Sequence, residues 1–326
     1  MRRDDFPPGW VRRAWRRIYW WPRDLRLAQI YRGSRHLVYF GGDGLGDDLL
    51  LSTALHELRT RGGRGLGVMT RWPELFQGSP DVDHVYPMRH DHVAGLRRLG
   101  RTIDELTYIH AQRPPDIDVP PHRHIVAEMC RRSSIRGEVG VRPYLWLTAE
   151  ERAAASAFAG CVAVQSSRRS ASLSIGNKEW SPERFQAVVD ALPPHQRVVQ
   201  LGLEEDPLLN GVEDLRGKTS LRASAAVLDA AAAFVGLVGF LMHLARAVDC
   251  PAVIIYGGRE RPDQSGYACN ENLYSAVPCA PCWRWNSCDY ERLCMTTIQP
   301  ADVSRALGRV LSRPRLPLAV QSVLLP

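Results

Sequence analysis

The stretch HLVYFGGDGLGDDLLLSTALHELR, residues 36–59, joins an apolar run to a glycine-rich turn and then to an apolar-periodic segment. This order predicts a strand, a tight turn and a helix, which is the layout of many phosphate-binding sites. However, Asp47 and Asp48 stand where the helix begins, and two carboxylates at the positive end of a helix would repel a phosphate. The turn also lacks the third glycine of a dinucleotide fingerprint and the lysine of a Walker loop. We therefore expect the turn to admit a sugar or a second chain, with a carboxylate at its mouth.

Strand-like runs alternate with helical segments twice along the 326 residues, which predicts an α/β protein with parallel sheets covered on both faces. The predicted strands are residues 36–40, 65–70, 84–88 and 107–110 in the first series and 161–165, 197–202, 232–238 and 251–257 in the second. Helices are predicted at 181–192, 221–230 and 300–312, besides the one after the first strand. We predict two Rossmann-like domains facing a cleft, at residues 36–150 and 151–312, followed by an apolar tail, 313–326, that packs back on the body.

The first 35 residues form a basic aromatic arm that holds ten Arg and three Asp, and so accounts for the whole net charge of +7. The rest of the chain is neutral, which disfavours nucleic acid as a partner. The arm can pack on its own domain or on a partner subunit of a homo-oligomer, lie as an amphipathic helix on an anionic membrane, or contact RNA. Because no apolar run is long enough to span a membrane and no secretory signal is present, we expect a cytoplasmic protein, free or peripheral to the inner face of the membrane.

Four of the eight cysteines lie together in CAPCWRWNSCDYERLC, residues 279–294. Cys279, Cys282, Cys288 and Cys294 have the spacing C-x2-C-x5-C-x5-C, which in a cytoplasmic chain favours a metal site over disulfides. Four thiolates complete the tetrahedral shell of zinc or iron and leave no open position, so we predict a structural metal. The alternatives are reduced surface thiols or one oxidised pair.

The second predicted domain carries hydroxyl and cationic side chains suited to a diphosphate. Ser166 and Ser167 follow the predicted strand 161–165, and Lys178 lies between this hydroxyl-rich strand exit and a helix that begins at a proline. A lone lysine is most often a solvated surface charge, but this setting favours a ligand role for Lys178.

Two later helix starts carry further candidates. Thr219 and Ser220 precede the helix 221–230, where such residues are also ordinary caps. His243 lies in the first turn of the helix that follows the predicted strand 232–238. A single histidine is usually a packing residue, yet the positive end of a helix at a strand exit can face a diphosphate.

Four segments resemble, in order, the motifs of one enzyme family. GLGDDLLLSTAL resembles S-x-G-D-x-x-x-x-x-P-x-L, NKEWSPERF resembles K-x-W-P-x-E-x-F with serine in place of proline, GKTSL is identical, and GFLMHLARA resembles S-G-x-M-H-L-A-x-A. These are motifs of glycosyltransferase family 9, the ADP-heptose:lipopolysaccharide heptosyltransferases, and the resemblance covers about residues 36–308. The cysteine cluster resembles that of the autotransporter heptosyltransferase branch, which carries iron on four cysteines.

The resemblance implies the GT-B fold and inverting transfer of a heptose from ADP-heptose to an acceptor hydroxyl. Asp47 matches the catalytic base, Lys178 the lysine that neutralises the donor diphosphate, and His243 the histidine near the pyrophosphate. The remaining donor-binding positions are hydroxyls near the phosphates and the nucleoside: Ser166, Ser167, Thr219 and Ser220. No catalytic metal is expected, because fixed cations replace it. The phosphates would then bind in the second domain, and the glycine turn would face the acceptor.

Two positions depart from the family pattern at the edge of the donor sugar. The acidic residue upstream of the histidine is Val238 here, and a glycine is Phe240. This departure favours a first alternative, a GT-B transferase that uses another nucleotide sugar. A second alternative is a non-catalytic metal-binding scaffold. The acceptor, a glycan, a protein side chain or a small molecule, is left open.

Overall fold

The structure is a computed structural model that describes residues 22–108, 116–167, 174–314 and 317–326. Its first sheet is parallel and has the strand order β3-β2-β1-β4. The strands are β1 (His36–Phe40), β2 (Leu66–Thr70), β3 (His84–Pro87) and β4 (Thr102–Leu106). Helices Leu45–Thr60, His90–Arg98 and Ile125–Arg132 and the 3-10 turn Pro73–Phe76 accompany the sheet, and β5 (Gly137–Gly140) lies outside it.

The second sheet has the order β11-β10-β9-β6-β7-β8 and is also parallel. Its strands are β6 (Val162–Val164), β7 (Val198–Gln200), β8 (Glu213–Asp214), β9 (Ala233–Leu237), β10 (Ala252–Gly257) and β11 (Glu271–Tyr274). The strand order reverses between β6 and β9, and open α/β sheets bind ligands outside the carboxyl ends of the strands at such a switch point.

Helices and 3-10 turns cover this second sheet and connect its strands. They are Ala149–Ala154, Ser156–Phe158, Gly176–Lys178, Pro182–Asp190, Leu221–Ala230, Phe240–Ala247, Pro262–Ser265, Leu293–Thr296 and Pro300–Leu311. Two parallel sheets of this kind confirm the predicted α/β class. None of the helices in the described ranges is both long and apolar enough to cross a membrane.

One predicted strand is wrong. The strand beside β1 is Thr102–Leu106 and ends before residues 107 and 108, where a strand is predicted, whereas residues 109 and 110 lie outside the described ranges. Its sequence TIDEL contains two charged residues, so a search for continuous apolar runs does not identify it as a strand. Both charges are compensated by β1, because Asp104 Oδ2 lies 2.7 Å from His36 Nε2 and Glu105 accepts a hydrogen bond from the Tyr39 hydroxyl at 3.0 Å.

The predicted arm is described only in its last part, and residues 1–21 lie outside the described ranges. Residues 22–30 are helical. Leu27 and Tyr31 are buried in an apolar cluster with Leu37 and Tyr39 of β1, and the Tyr31 hydroxyl lies 3.1 Å from His92 Nδ1. This part of the arm therefore packs on its own first sheet.

The chain end returns to the body. β12 (Ser322–Leu325) pairs antiparallel with β5, and its Leu325 joins the main core cluster. The helix Leu45–Thr60 of the first half packs against the helix Phe240–Ala247 of the second. A Cβ added to Gly46 would lie 3.3 Å from His243 Cδ2 and 3.5 Å from Phe240 Cα. The starts of these two helices are therefore in direct contact across the cleft.

Leu325→Ala should lower the free energy of unfolding by about 2 kcal/mol, because Leu325 is 3% exposed and its removal leaves a cavity. Leu324→Ala is the matched control, since the neighbouring leucine is 78% exposed and should change stability by less than about 0.5 kcal/mol. Chemical denaturation of both variants measures the difference. Equal effects would mean that β12 is not docked.

Candidate active site

Asp47 lies in the first turn of the helix Leu45–Thr60 and accepts a hydrogen bond from the Tyr108 side chain. Its carboxylate folds back over Gly44, where an added Cβ would overlap Asp47 Oδ2. The glycine is thus required so that the carboxylate can reach this position. Burial raises the pKa of Asp47 to about 6, against the lowering effects of the Tyr108 hydrogen bond and the Lys178 charge. A carboxylate with such a pKa is suited to accept a proton near neutral pH.

Asp48, next to it, is a buried residue, 2% exposed, and not the exposed helix-end charge that adjacent aspartates suggest. The Thr70 hydroxyl at the end of β2 donates to Asp48 Oδ2 at 2.5 Å. Burial raises the pKa of Asp48 to about 6 as well, with Thr70 and the Arg71 backbone acting in the opposite direction. Asp48 therefore ties the helix to β2, whereas Asp47 faces Tyr108 and Lys178.

Lys178 ends the 3-10 turn Gly176–Lys178 and forms an ion pair with Glu260, which follows β10 and is 3% exposed. Burial acts to raise the pKa of Glu260, but Lys178 and Arg259 outweigh it and hold the pKa at about 2. Asp47 is within electrostatic range of both Lys178 and Glu260. One cluster at the cleft thus contains the predicted base, the predicted phosphate-binding lysine and a permanently charged glutamate.

His243 lies in the first turn of the helix Phe240–Ala247, as predicted, and is buried. Its Nδ1 lies 2.6 Å from the Tyr267 hydroxyl, and the ring edge faces Gly46 of the glycine turn. Val238, at the end of β9, is buried in the main core cluster, and Phe240 packs against that cluster. The two departures from the family pattern therefore place apolar side chains at the switch point beside His243.

The predicted hydroxyls are engaged within the protein. Ser166 is buried, donates to the Pro207 carbonyl at 2.8 Å and accepts from Gln200 Nε2 at 2.9 Å. Ser167 is buried and donates to Glu179 Oε2 at 3.1 Å. Both follow β6 at the switch point, which is where a diphosphate is expected. Their role as phosphate donors stays a prediction.

The second hydroxyl pair begins the helix Leu221–Ala230. Ser220 is its cap and accepts a hydrogen bond from the Ala223 amide at 3.1 Å. The Thr219 hydroxyl lies 2.7 Å from that of Ser224. Capping accounts for Ser220 without a ligand, and contact of either residue with a nucleoside stays a prediction.

Cys279, Cys282, Cys288 and Cys294 form no disulfides. Burial raises the pKa of Cys294, and the neighbouring thiols of Cys282, Cys279 and Cys288 raise it further, so the four sulfurs share one neighbourhood. Among the described residues, however, no three His, Cys, Asp or Glu side chains are arranged as a metal-binding group. The structure therefore brings the predicted ligands near each other without a coordination geometry.

Sequence reasoning missed Tyr108, Arg259 and Glu260. Tyr108 follows β4, just beyond the edge where ligands of a parallel sheet bind, but the misplaced strand at 107–110 concealed it. Arg259 and Glu260 follow β10 at the same edge of the second sheet. Polar residues directly after a buried strand were the available signal.

The cluster can hold an anion between cations and accept a proton beside it. Asp47 and Tyr108 come from the first half of the chain, and Lys178, Arg259 and Glu260 come from the second. A reacting group bound between the halves would meet a carboxylate on one side and an ammonium on the other. Two Rossmann-like halves that face a cleft are the architecture of the GT-B fold.

Sequence comparison gives the family. The profile of glycosyltransferase family 9 (heptosyltransferase) matches residues 87–289, which is more than half of the chain. The protein belongs to this family and is a glycosyltransferase, which sets aside the non-catalytic scaffold. A comparison with curated proteins found no match.

Solved structures agree with this assignment. TibC, described as a bacterial iron-containing dodecameric glycosyltransferase from enterotoxigenic E. coli, superposes with a TM-score of 0.63 at 18% identity and covers 85% of this chain and 76% of its own. ADP-heptose LPS heptosyltransferase II of E. coli gives 0.62 at 15% identity, with 85% and 98% covered. A family 9 glycosyltransferase from Veillonella parvula gives 0.60 at 15%, with 85% and 97% covered. At these identities the similarity shows the shared GT-B fold.

Asp48→Asn tests the burial of this carboxylate through the pH dependence of stability. The folded protein holds the Asp48 proton more tightly than the unfolded chain, so the wild type loses stability as the pH rises from about 4 through about 6. The asparagine carries no such proton. Its free energy of unfolding relative to wild type should therefore increase across this window, by on the order of 2–3 kcal/mol. Urea denaturation at a series of pH values measures it, and parallel curves would refute the burial of Asp48.

Proposed function

We propose that the protein transfers a heptose from ADP-heptose to an acceptor hydroxyl with inversion at the anomeric carbon. One observation carries this proposal: Asp47 accepts a hydrogen bond from Tyr108 in its own half of the chain and faces the Lys178 charge from the other half. Among the residues that the structure describes, Asp47 combines the family motif, a pKa near 6 and a position facing the second sheet. Family membership supports glycosyl transfer, and the inverting course and the donor are part of the proposal.

The proposed step is a single displacement. The acceptor oxygen forms a bond to the anomeric carbon while the bond from that carbon to the diphosphate oxygen breaks and its electron pair leaves with ADP. Asp47 takes the acceptor proton, which requires its ionised form and therefore a pH above about 6. Tyr108 holds the carboxylate by donating to it, and orientation of this kind lowers the barrier.

Lys178 is proposed to neutralise the charge that develops on the leaving diphosphate. An ammonium has three N–H donors, so Lys178 can donate to phosphate oxygens in addition to pairing with Glu260. The amides at the start of the helix Phe240–Ala247 contribute from the switch point. Charge stabilisation by fixed groups replaces a catalytic metal ion in this proposal.

ADP-heptose is the proposed donor because TibC has been solved with ADP-D-beta-D-heptose and because the family is named for heptosyl transfer. Another nucleotide sugar is the second candidate. It is favoured by Val238 and Phe240, which make the switch point apolar where the family motif has an acidic residue and a glycine.

A structural iron or zinc ion is proposed at Cys279, Cys282, Cys288 and Cys294. The surroundings fit thiolate ligands, because the Arg292 amide donates to Cys288 Sγ at 3.2 Å and the Gly258 amide donates to Cys294. Bound metal would fasten the loop and take no part in sugar transfer.

The oligomeric state and the location are also proposals. Assembly into a homo-oligomer is supported by the dodecameric state given for TibC. A cytoplasmic location and peripheral membrane contact through the arm are proposed from the sequence alone. The acceptor class stays open among glycan, protein and small molecule.

Asp47→Asn should reduce transfer from ADP-heptose by about 10²–10⁴-fold, because an amide cannot accept the acceptor proton. ADP binding should stay within about twofold, since the diphosphate is proposed to bind the other half of the chain. Mass spectrometry of the acceptor and calorimetry with ADP measure the two effects. Asp43→Asn is the control, because Asp43 lies in the same turn with its side chain 83% exposed.

Near-normal transfer by Asp47→Asn would remove Asp47 from the role of base. The thermal stability of the protein, measured in parallel with ADP-, UDP- and GDP-sugars, identifies the donor. Stabilisation by a UDP- or GDP-sugar, with none by ADP-heptose, would overturn the proposed donor while leaving glycosyl transfer intact.

Protein purified without chelators should contain about one iron or zinc ion per chain, by the four-thiolate chemistry of the loop. Cys282→Ser should lose most of this metal and melt at a lower temperature, because metal binding contributes to folding. Cys269→Ser is the control, since Cys269 is a partly exposed cysteine outside the loop. Elemental analysis that finds equal metal in both variants, or none in the wild type, would contradict the metal site.

A further inference from the structure

The segment 283–287, between Cys282 and Cys288, touches the turn that carries Lys178. Asn177, directly before Lys178, is 3% exposed and donates through Nδ2 to the carbonyls of Arg284 at 3.3 Å and Ser287 at 2.9 Å. Its backbone amide donates to the Trp285 carbonyl at 2.9 Å. The same turn is held once more by Asn286 Oδ1, which accepts from the Gly176 amide at 2.8 Å.

The segment also holds Arg259, which donates to the ion-pair partner of Lys178. Arg259 is 2% exposed, donates through Nε to the Arg284 carbonyl at 3.0 Å and lies 4.9 Å from the centre of the Trp283 ring. Its Nη1 donates to Glu260 Oε1 at 3.2 Å, and Glu260 is the ion-pair partner of Lys178. A second route therefore runs from the cysteine loop to the Lys178 ammonium.

A third contact joins the segment to the first half of the chain. The Asp116 carboxylate accepts hydrogen bonds from the Asn286 amide at 2.7 Å and the Ser287 amide at 2.8 Å. Asp116 has a left-handed backbone with φ of 90°, which is unfavourable outside glycine and is retained where surrounding contacts impose it. Asp118, two residues on, pairs with Arg259.

We propose that the cysteine loop is a positioning element of the active site, which sets the Lys178 ammonium beside Asp47 through Asn177 on one route and through Arg259 and Glu260 on the other. This inference rests on the proposed function for the meaning of Lys178, but its geometry stands independently. Asn177 is thus a positioning residue that acts through Lys178 and touches neither sugar nor acceptor.

The chain offers a direct readout because it has two lysines, Lys178 and Lys218. The Lys178 side chain is 12% exposed and the Lys218 side chain is 59% exposed. Acylation with an amine-reactive acetyl ester, followed by peptide mass spectrometry, gives the ratio of the two rates within one sample. The acylation rate of Lys218 thereby corrects for differences in reagent concentration and pH between samples.

Asn177→Ala should raise the acylation ratio of Lys178 to Lys218 by about 3- to 10-fold, because it removes the two donated hydrogen bonds and a third that Asn177 Oδ1 accepts from Arg292 Nε at 3.2 Å. Gln196→Ala is the matched control. Its amide also donates to two backbone carbonyls, those of Gly160 at 3.0 Å and Arg197 at 3.1 Å, away from the cleft. The control should leave the ratio unchanged. An unchanged ratio in folded Asn177→Ala would overturn the proposal.

Asn286→Ala provides a second variant if Asn177→Ala fails to fold, since Asn286 is exposed. It should raise the ratio in the same direction, and no rise would equally count against the proposal. The Lys178 charge lowers the pKa of Asp47, so displacing Lys178 should raise that pKa. In the active enzyme, Asn177→Ala should therefore shift the acid limb of the pH–rate profile to higher pH. A purely structural loss of stability would not shift that limb.

Protection by ADP distinguishes a failure of the proposed function from a failure of the positioning role. If the proposed function is right, ADP should protect Lys178 of the wild type from acylation. Absence of protection together with absence of transfer would defeat the proposed function, whereas the comparison of Asn177→Ala with Gln196→Ala would still decide the positioning role.

Discussion

The cleft depends on keeping a carboxylate, Asp47, desolvated and yet able to ionise. Removing a charge from water is costly unless partners compensate it. Tyr108 donates to Asp47, and Lys178 supplies a compensating charge from the opposite half of the chain. Burial exceeds these effects, so the pKa stays raised to about 6. The result is a group that is mostly ionised at neutral pH and remains basic enough to accept a proton.

The glycine turn follows from the same constraint. Gly44 leaves room for the Asp47 carboxylate to fold over the backbone, and Gly46 lets the two helix starts meet at His243. Carboxylates at the start of this helix would repel a phosphate. The cations lie instead on the second sheet, where Lys178 and Arg259 surround Glu260. The proposed function assigns the acceptor to the first half of the chain and the donor to the second, and the cysteine loop contacts both halves.

Much of the architecture could be predicted from periodicity, because both sheets are buried and parallel and most of their strands are apolar runs. β4 was the exception, since its Asp104 and Glu105 are compensated by neighbours on β1 that no local pattern reveals. The positions of Asp47, Lys178 and His243 at strand and helix ends followed from motifs. Their roles as base and donor ligands remain predictions.

What the sequence could not show was which charges would meet. Asp47 and Asp48 are equivalent by local rules, and only Thr70 on a neighbouring strand makes Asp48 structural. Glu260 becomes meaningful only when folding brings it to Lys178. Likewise, the spacing of the cysteines indicates a metal, but the contacts of residues 283–287 with Asn177 and Asp116 require the fold.

We propose that Asp47 acts as a base in a single displacement between the two sheets. The anomeric configuration of the transferred sugar tests it most directly, because one displacement inverts the anomeric centre and two restore it. Proton NMR of the product formed from ADP-D-beta-D-heptose, at short reaction times, should show the α-linked sugar. A β-linked product would mean a retaining reaction and would contradict the role given to Asp47.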